Sequence, residues 1–284
     1  MSKHLSPKVS IIIRTYNESL FISDLLNAIK LQTYSNTEII LVDSESTDNT
    51  VDIAKPFCDK IVNIKKKDFT FGYSLNKGIE QSTGDYLILV SAHTLPCDTT
   101  WIQSLIEPLN KSNIAMVYGK QLGDHNSRYP EFLDMLRIFP NHKKILQAPQ
   151  YFSHNANSSL KKELWELHNF DPSLSGQEDI EWAKYWMEKG LNVYYQPNAP
   201  IIHSHRESWA QIHNRFRRQS LALKKLKLLN LQSIPSLLWS EFKNLCSDVY
   251  KLSKNSAKDF QDPKKDIFLY RYHKIAGTIH GLFQ

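Results

Sequence analysis

Gly84-Asp85-Tyr86-Leu87-Ile88-Leu89-Val90, running on into Ser91-Ala92-His93, reads as a turn followed by a buried strand. A short unbroken apolar run after a turn signal suits a strand covered on both faces. Side chains at the exit of such a strand face a ligand crevice. Upstream, Val9-Ser10-Ile11-Ile12-Ile13-Arg14 and Glu38-Ile39-Ile40-Leu41-Val42 repeat the pattern. Between them, residues 20–31 carry Leu25, Leu26 and Ile29 at helical spacing, with a boundary at Gln32-Thr33. A helix over 48–55 begins at an Asp or Asn cap, a strand follows at 61–64, and a helix at 74–81. Strand alternating with helix predicts an α/β domain whose mostly parallel sheet is flanked by helices, with the ligand site on the strand-to-helix turns.

The alternation weakens after residue 100. A strand is predicted at 115–119, a helix at 180–189 ending at Gly190, and short strands at 192–195 and 200–203. Residues 124–148 are polar and aromatic without a clear period, which suits an inserted acceptor-binding region. From Trp209 onward, Ile212, Phe216, Leu223 and Leu226 follow helical spacing, and Pro235 and Pro263 divide the tail into about three helices.

The chain of 284 residues is 41% hydrophobic and 23% charged, ordinary for a folded globular protein, and is long enough for one large core plus an accessory segment. Its net charge of +6 is unevenly spread: residues 206–284 hold 15 Lys or Arg against 6 Asp or Glu, the first 205 hold 20 against 23. A basic tail on a mildly acidic body points to an anionic contact such as lipid phosphate, acidic glycan or nucleic acid, or else to a solvated helical face. No nucleic-acid motif accompanies it, so no nucleic-acid partner is expected. Cys58, Cys97 and Cys246 match neither a disulfide framework nor a zinc spacing. With no signal core and no apolar run long enough to span a bilayer, the expected location is cytoplasmic, with peripheral contact at the inner membrane.

Four segments then carry a resemblance: residues 9–18 ending in Arg14-Thr15-Tyr16-Asn17-Glu18; Asp43-Ser44-Glu45-Ser46-Thr47-Asp48; Ser91-Ala92-His93; and Gly176-Gln177-Glu178-Asp179-Ile180-Glu181-Trp182. Together they resemble family 2 glycosyltransferases of the GT-A fold, over residues 8–220. The resemblance implies a Rossmann-like GT-A domain over 1–220 and a basic helical extension over 221–284. It implies an inverting enzyme that moves a sugar from a nucleotide-sugar donor to a hydroxyl of a capsule or O-antigen intermediate, glycan or lipid-linked glycan, with a lean toward rhamnose. The alternative is a non-catalytic nucleotide-sugar-binding or scaffolding homologue. A homodimer is open.

Glycosyl transfer needs a nucleotide pocket, neutralisation of the leaving diphosphate, and a general base for the acceptor hydroxyl. By the resemblance, Thr15, Tyr16, Asn17 and Glu18 line the nucleotide, Asp43 and Ser46 accept from base or ribose, and Arg14 adds positive charge near the phosphates. Alone, the 43–48 run would be a capping turn. Phe71 and Asn76 lie in a loop and helix start that close over the nucleotide, although Phe69 and Phe71 suit a core equally well. Where the family has Asp-x-Asp to hold Mg2+ or Mn2+, this chain has Ser91, Ala92 and His93, poor ligands for a hard cation. Two arrangements are open: a metal held by His93 with His203 or His205, or the preferred one without metal, in which His93 and Arg206, Arg215 or Arg218 donate directly to the diphosphate. Asp179 is the expected base and Glu178 orients hydroxyls, against a plain helix N-terminal charge pairing. Asn155 and Asn157 are expected beside the donor sugar, or in an Asx turn. Lys120, Gln121 and Trp182 are expected on the acceptor side.

Overall fold

The computed structural model describes residues 6–204, 207–254 and 257–284. In chain order its strands are β1 (Val9–Thr15), β2 (Thr37–Asp43), β3 (Lys60–Asn63), β4 (Tyr86–Ser91), β5 (Thr94–Pro96), β6 (Ile114–Leu122), β7 (Lys144–Leu146), β8 (Asn157–Lys161) and β9 (Asn192–His203). Its α-helices are α1 (Ile22–Lys30), α2 (Thr50–Ala54), α3 (Phe71–Ile79), α4 (Trp101–Ile106), α5 (Tyr129–Ile138), α6 (Lys162–Leu167), α7 (Glu178–Glu188), α8 (Trp209–Lys225), α9 (Ile234–Lys254) and α10 (Pro263–Phe283). They divide into two compact units. The first takes the chain up to Gln121 with Pro140–Leu174 and Glu178–Ile202; the second is Leu122–Phe139, Ser175–Gln177 and His203–Gln284.

The first unit is built on one sheet in the order β3-β2-β1-β4-β8-β6-β9-β5, with β7 paired to β9. The β-branched run of β1 is buried from Val9 to Ile13 because parallel strands lie on both sides of it. Helix α1 closes one face through Ile22, Leu25, Leu26 and Ile29, the spacing of one helical stripe. In the helix α3, Thr70 caps the N-terminus by accepting from Tyr73 N, three residues earlier than the apolar period alone suggests. Register sets the working edge. Arg14 of β1 sits opposite Ser91 of β4, Thr15 opposite Asp43 of β2, and Val90 of β4 opposite Asn157 of antiparallel β8. The segments following β1, β2 and β4 and the one preceding β8 therefore emerge from the same end of the sheet.

The second unit is helical. Gly277 and Gly281 of α10 lie one turn apart and let it press on α8: a Cβ there would stand 2.4 Å from His213 O and 2.2 Å from Arg217 O. At its centre Arg271, 3% exposed, bonds Asp134 of α5 and both Glu241 and Asp248 of α9. Two expectations change here. Residues 124–148, read as aperiodic, contain α5; its inward face includes Glu131 and Asp134, which pair with Arg215 and Arg271, so an apolar period is missing where a helix is present. The division expected at residue 220 falls inside α8, and this unit gathers α5 as well as everything from His203.

Asn157 explains how β8 is held. It is fully buried, accepts from Trp101 Nε1 at 2.9 Å, and donates from Nδ2 to Lys120 O at 3.0 Å and Ala199 O at 2.8 Å. It is a bracket across α4, β6 and β9, not a sugar contact. Replacing it by Ala strands one buried donor and two carbonyls, and we expect a loss of about 3 kcal/mol, measured as a lower midpoint in denaturant.

Candidate active site

Two loops at the working edge are clamped to each other. Asn17, in the left-handed region at φ 55°, accepts from Thr47 N at 2.7 Å and donates its own backbone N–H to Ser46 Oγ at 2.9 Å. Ser46 in turn donates through N and Oγ to the two oxygens of Asp43. Glu18 N donates to Thr50 Oγ1 at 2.8 Å, and Ser44 N to Thr15 O at 3.1 Å. Asn17, Asp43, Ser46 and Thr15 are thus brought together, and their bonds to one another fix the two loops. Asp43 keeps acceptor lone pairs beyond the two that Ser46 uses. Tyr16 is 38% exposed, and its hydroxyl accepts from Lys66 Nζ at 2.6 Å.

At the exit of β4, Ala92 is buried and His93 Nδ1 lies 2.8 Å from Glu18 Oε1. Among the described residues no three His, Cys, Asp or Glu side chains gather as metal ligands would. One imidazole paired with one carboxylate does not fit a hard divalent cation held by the protein, which takes several oxygen ligands. His203, the alternative partner, ends β9 and is buried within the second unit, while His205 and Arg206 lie outside the described residues.

The carboxylates Glu178 and Asp179 open α7 and are 4% and 8% exposed. Asn155, just before β8, orients both: its N–H donates to Asp179 Oδ2 at 3.0 Å and its Nδ2 to Glu178 Oε1 at 3.2 Å. Ile180 N donates to Asp179 Oδ1 at 2.8 Å. Arg14 reaches the pair from the end of β1, with Nη1 4.0 Å from Glu178 Oε1 and its guanidinium 4.8 Å from the Phe71 ring centroid. Among the described residues Arg14 Nε and Nη1 have no hydrogen-bond partner. Burial, and then the neighbouring Asp179, push the Glu178 carboxyl up to about 7 against the pull of Arg14. Burial also raises Asp179, against the pull of the Asn155 and Ile180 N–H groups and of Arg14. Two carboxyls this close and this dry hold one proton between them near neutrality. The two backbone donors favour the charge on Asp179, leaving the proton on Glu178.

Several expected contacts have other work. Asn76, expected at the nucleotide, donates from Nδ2 to Phe170 O and accepts at Oδ1 from Trp165 Nε1 and Phe170 N, so it pins residues 165–170 to α3. Trp182 is fully buried with its indole N–H on His168 O, a core residue and not an acceptor contact. Arg215 is ion-paired to Glu131 and Glu207 inside the second unit. Arg218 lies on α8 of that same unit. Lys120 donates to Asn141 Oδ1, and Gln121 is buried at 2%. Asn155 proves to be the orienter of both carboxyls, a role the sequence hides because the partners are 24 and 23 residues apart.

Residues 10–166 match the model of the family described as glycosyl transferase family 2. The O-antigen chain rhamnosyltransferase RfbN of Salmonella typhimurium is 28% identical over 210 residues, 70% of this chain and 67% of that protein. The O-antigen chain rhamnosyltransferase WbaN of Salmonella anatum is 24% identical with the same coverage. In structure, the chain is similar to mannosyltransferase PcManGT from Pyrobaculum calidifontis in complex with GDP-Man and Mn2+, with a TM-score of 0.69 at 18% identity over 99% of this chain and 88% of that one. Staphylococcus aureus TarS 1-349 gives a TM-score of 0.56 at 15% identity, over 94% and 90%.

Holding Glu178 protonated links stability to pH. Its carboxyl is raised on folding, so its contribution is most favourable below the ordinary Glu range and is lost as pH rises toward and through 7. Glu178→Gln, which keeps an oxygen for Asn155, should therefore be more stable than the native chain at pH 8 by about 2 kcal/mol, with the difference vanishing near pH 5. Thermal unfolding of both across that range measures it; equal pH profiles would contradict the protonated pair.

Proposed function

The chain belongs to glycosyl transferase family 2, and on that premise we propose that it transfers one sugar, with inversion, from a nucleotide-sugar donor to a hydroxyl of a bacterial surface glycan intermediate. The observation that carries this reading is the buried carboxyl pair at the start of α7, gripped by Asn155 and facing Arg14. A buried carboxylate held ionised beside a protonated neighbour is suited to take a proton from a neutral hydroxyl.

In this reading Asp179 removes the acceptor proton as the hydroxyl oxygen attacks the anomeric carbon. The new oxygen–carbon bond forms on the face opposite the breaking bond to the diphosphate, which departs with the electron pair. Glu178, carrying its proton, donates to a hydroxyl of sugar or acceptor and so fixes the line of attack. Arg14 offsets the negative charge of the pair and keeps Asp179 ionised. Asp43 and the backbone around Asn17 and Ser46 take the nucleotide. His93, held by Glu18 through Nδ1, would give a second N–H to the departing diphosphate only as the imidazolium, since the neutral ring keeps just an acceptor at Nε2.

The Salmonella relatives are named O-antigen chain rhamnosyltransferases, which supports O-antigen assembly as the setting and a deoxyhexose such as rhamnose as the sugar. The mannosyltransferase neighbour was solved with GDP-Man and Mn2+, which supports a sugar nucleotide as donor. Among the described residues no helix is long and apolar enough to cross a membrane, so work on a lipid-linked acceptor would call for surface contact.

Asp179→Asn should lower kcat by about a thousandfold while leaving the thermal shift produced by the donor's nucleoside diphosphate unchanged. A panel of dTDP-, UDP- and GDP-sugars with product NMR reads both the rate and the anomeric configuration. Retention of most of the activity, or of the donor configuration, would overturn the assignment. The native enzyme's kcat should follow a bell, rising as Asp179 ionises, with that midpoint above the ordinary Asp range because burial raises it, and falling as pH passes about 7, where Glu178 loses the proton it donates.

A further inference from the structure

Helix α9 turns its acids inward and its aromatics outward. Its two carboxylates, Glu241 and Asp248, are buried at 4% and 0% and bonded to Arg271, with Lys274 also on Glu241 and Arg137 also on Asp248. At about 100° per residue, the far side of the helix lines up Leu238, Trp239, Phe242, Cys246, Val249 and Tyr250 in a stripe about 18 Å long and about a third of the circumference wide. Trp239 and Tyr250 are 61% and 62% exposed, and the Trp239 and Phe242 rings stack with centroids 5.9 Å apart. Lys243 and Lys254 flank the stripe on one side, with ammonium groups 6.0 Å from the Trp239 ring and 5.7 Å from the Tyr250 ring. Among the described residues, then, the outward face of α9 presents aromatic and cationic side chains and no carboxylate. A contiguous apolar stripe left in water marks an interaction surface.

We propose that this stripe is a membrane-docking face, lying in the headgroup layer of an anionic bilayer with Trp239, Phe242 and Tyr250 among the acyl-chain ends and Lys243 and Lys254 on lipid phosphates. Amphipathic Trp and Tyr rings favour that layer, and a helix with an apolar face beside lysines lies in its plane. Lysines near anionic lipid add attraction that salt removes. A second copy of this chain fits the stripe less well, because a two-fold contact would bring the same lysines together with no exposed α9 carboxylate to neutralise them. Tyr270 of α10 is 2% exposed and packs on Phe216, so it takes no part. The proposal deepens the transferase reading by saying how the enzyme would reach a lipid-linked acceptor.

The test is co-sedimentation of the full chain, without donor or acceptor, with vesicles of phosphatidylcholine alone or mixed with phosphatidylglycerol. The native chain should partition onto the mixed vesicles and be released by high salt. The pairs Trp239→Ser/Phe242→Ser and Lys243→Glu/Lys254→Glu should each cut that partition by roughly tenfold, with unchanged thermal unfolding and unchanged transfer to a soluble acceptor. In a Cys97→Ser chain, an environment-sensitive fluorophore on exposed Cys246 should shift to the blue on mixed vesicles; Cys58 labels slowly because burial pushes its thiol up to about 12. No partition, partition indifferent to both pairs, or a lipid-free dimer that the same substitutions dissociate would overturn the proposal. Because lipid binding is read without turnover, its failure leaves the transferase reading standing, and the reverse holds too.

Discussion

A guanidinium removed from water must be answered by negative charge, and in the first unit that requirement joins Arg14 at the end of β1 to the carboxyls at the start of α7. The three groups come from segments more than 160 residues apart in sequence. Register brings them to one edge: β1 places Arg14 beside Ser91, β4 pairs with β8, and Asn155 just ahead of β8 holds both carboxyls. The match is deliberately incomplete. Arg14 stands 4.0 Å from Glu178, beyond hydrogen-bond range, and two of its nitrogens lack a hydrogen-bond partner among the described residues. Charge without full bonding moderates the negative charge of the pair.

Arg271 in the second unit shows the contrasting solution. It makes hydrogen bonds to Asp134, Glu241 and Asp248, and every one of its nitrogens has a carboxylate. Burial opposes its charge, yet those carboxylates hold its pKa well above the usual arginine value, whereas burial takes Arg14 below it. A saturated network of this kind fixes helix packing and leaves no group to act. It also draws both acids of α9 inside, which is why the described outward face of that helix carries no carboxylate. The two buried arginines thus differ in how completely each is paired.

Much of the first unit was legible because its strands are β-branched runs and its helices show apolar spacing, as in Val9–Thr15 and Ile22–Lys30. The carboxyls at 178 and 179 were legible as a motif, whereas Arg14 read as a cation for the donor phosphates and the structure sets it against those carboxyls. What stayed hidden depended on long-range partners. Helix α5 was invisible because its inward face is charged and only Arg215 and Arg271 make that tolerable. Asn76 and Trp182 looked like site residues because they sit within the motif, but their hydrogen bonds go to backbone and side chains that no local pattern reveals. Ser91-Ala92-His93 was legible as a departure from a carboxylate pair, while the partner of His93, Glu18, comes from a different strand's loop.

The measurement that bears most directly on this account is the protonation state of the carboxyl pair, read by infrared difference spectroscopy with carbon-13 carboxyl labelling across pH 5 to 9. A protonated carboxyl band present at neutral pH, absent from Glu178→Gln and titrating well above the ordinary Glu value of about 4.3, is the predicted result. Two carboxyls already ionised at pH 5, each unaffected by loss of the other, would contradict it and remove the physical basis for assigning base and donor to Asp179 and Glu178.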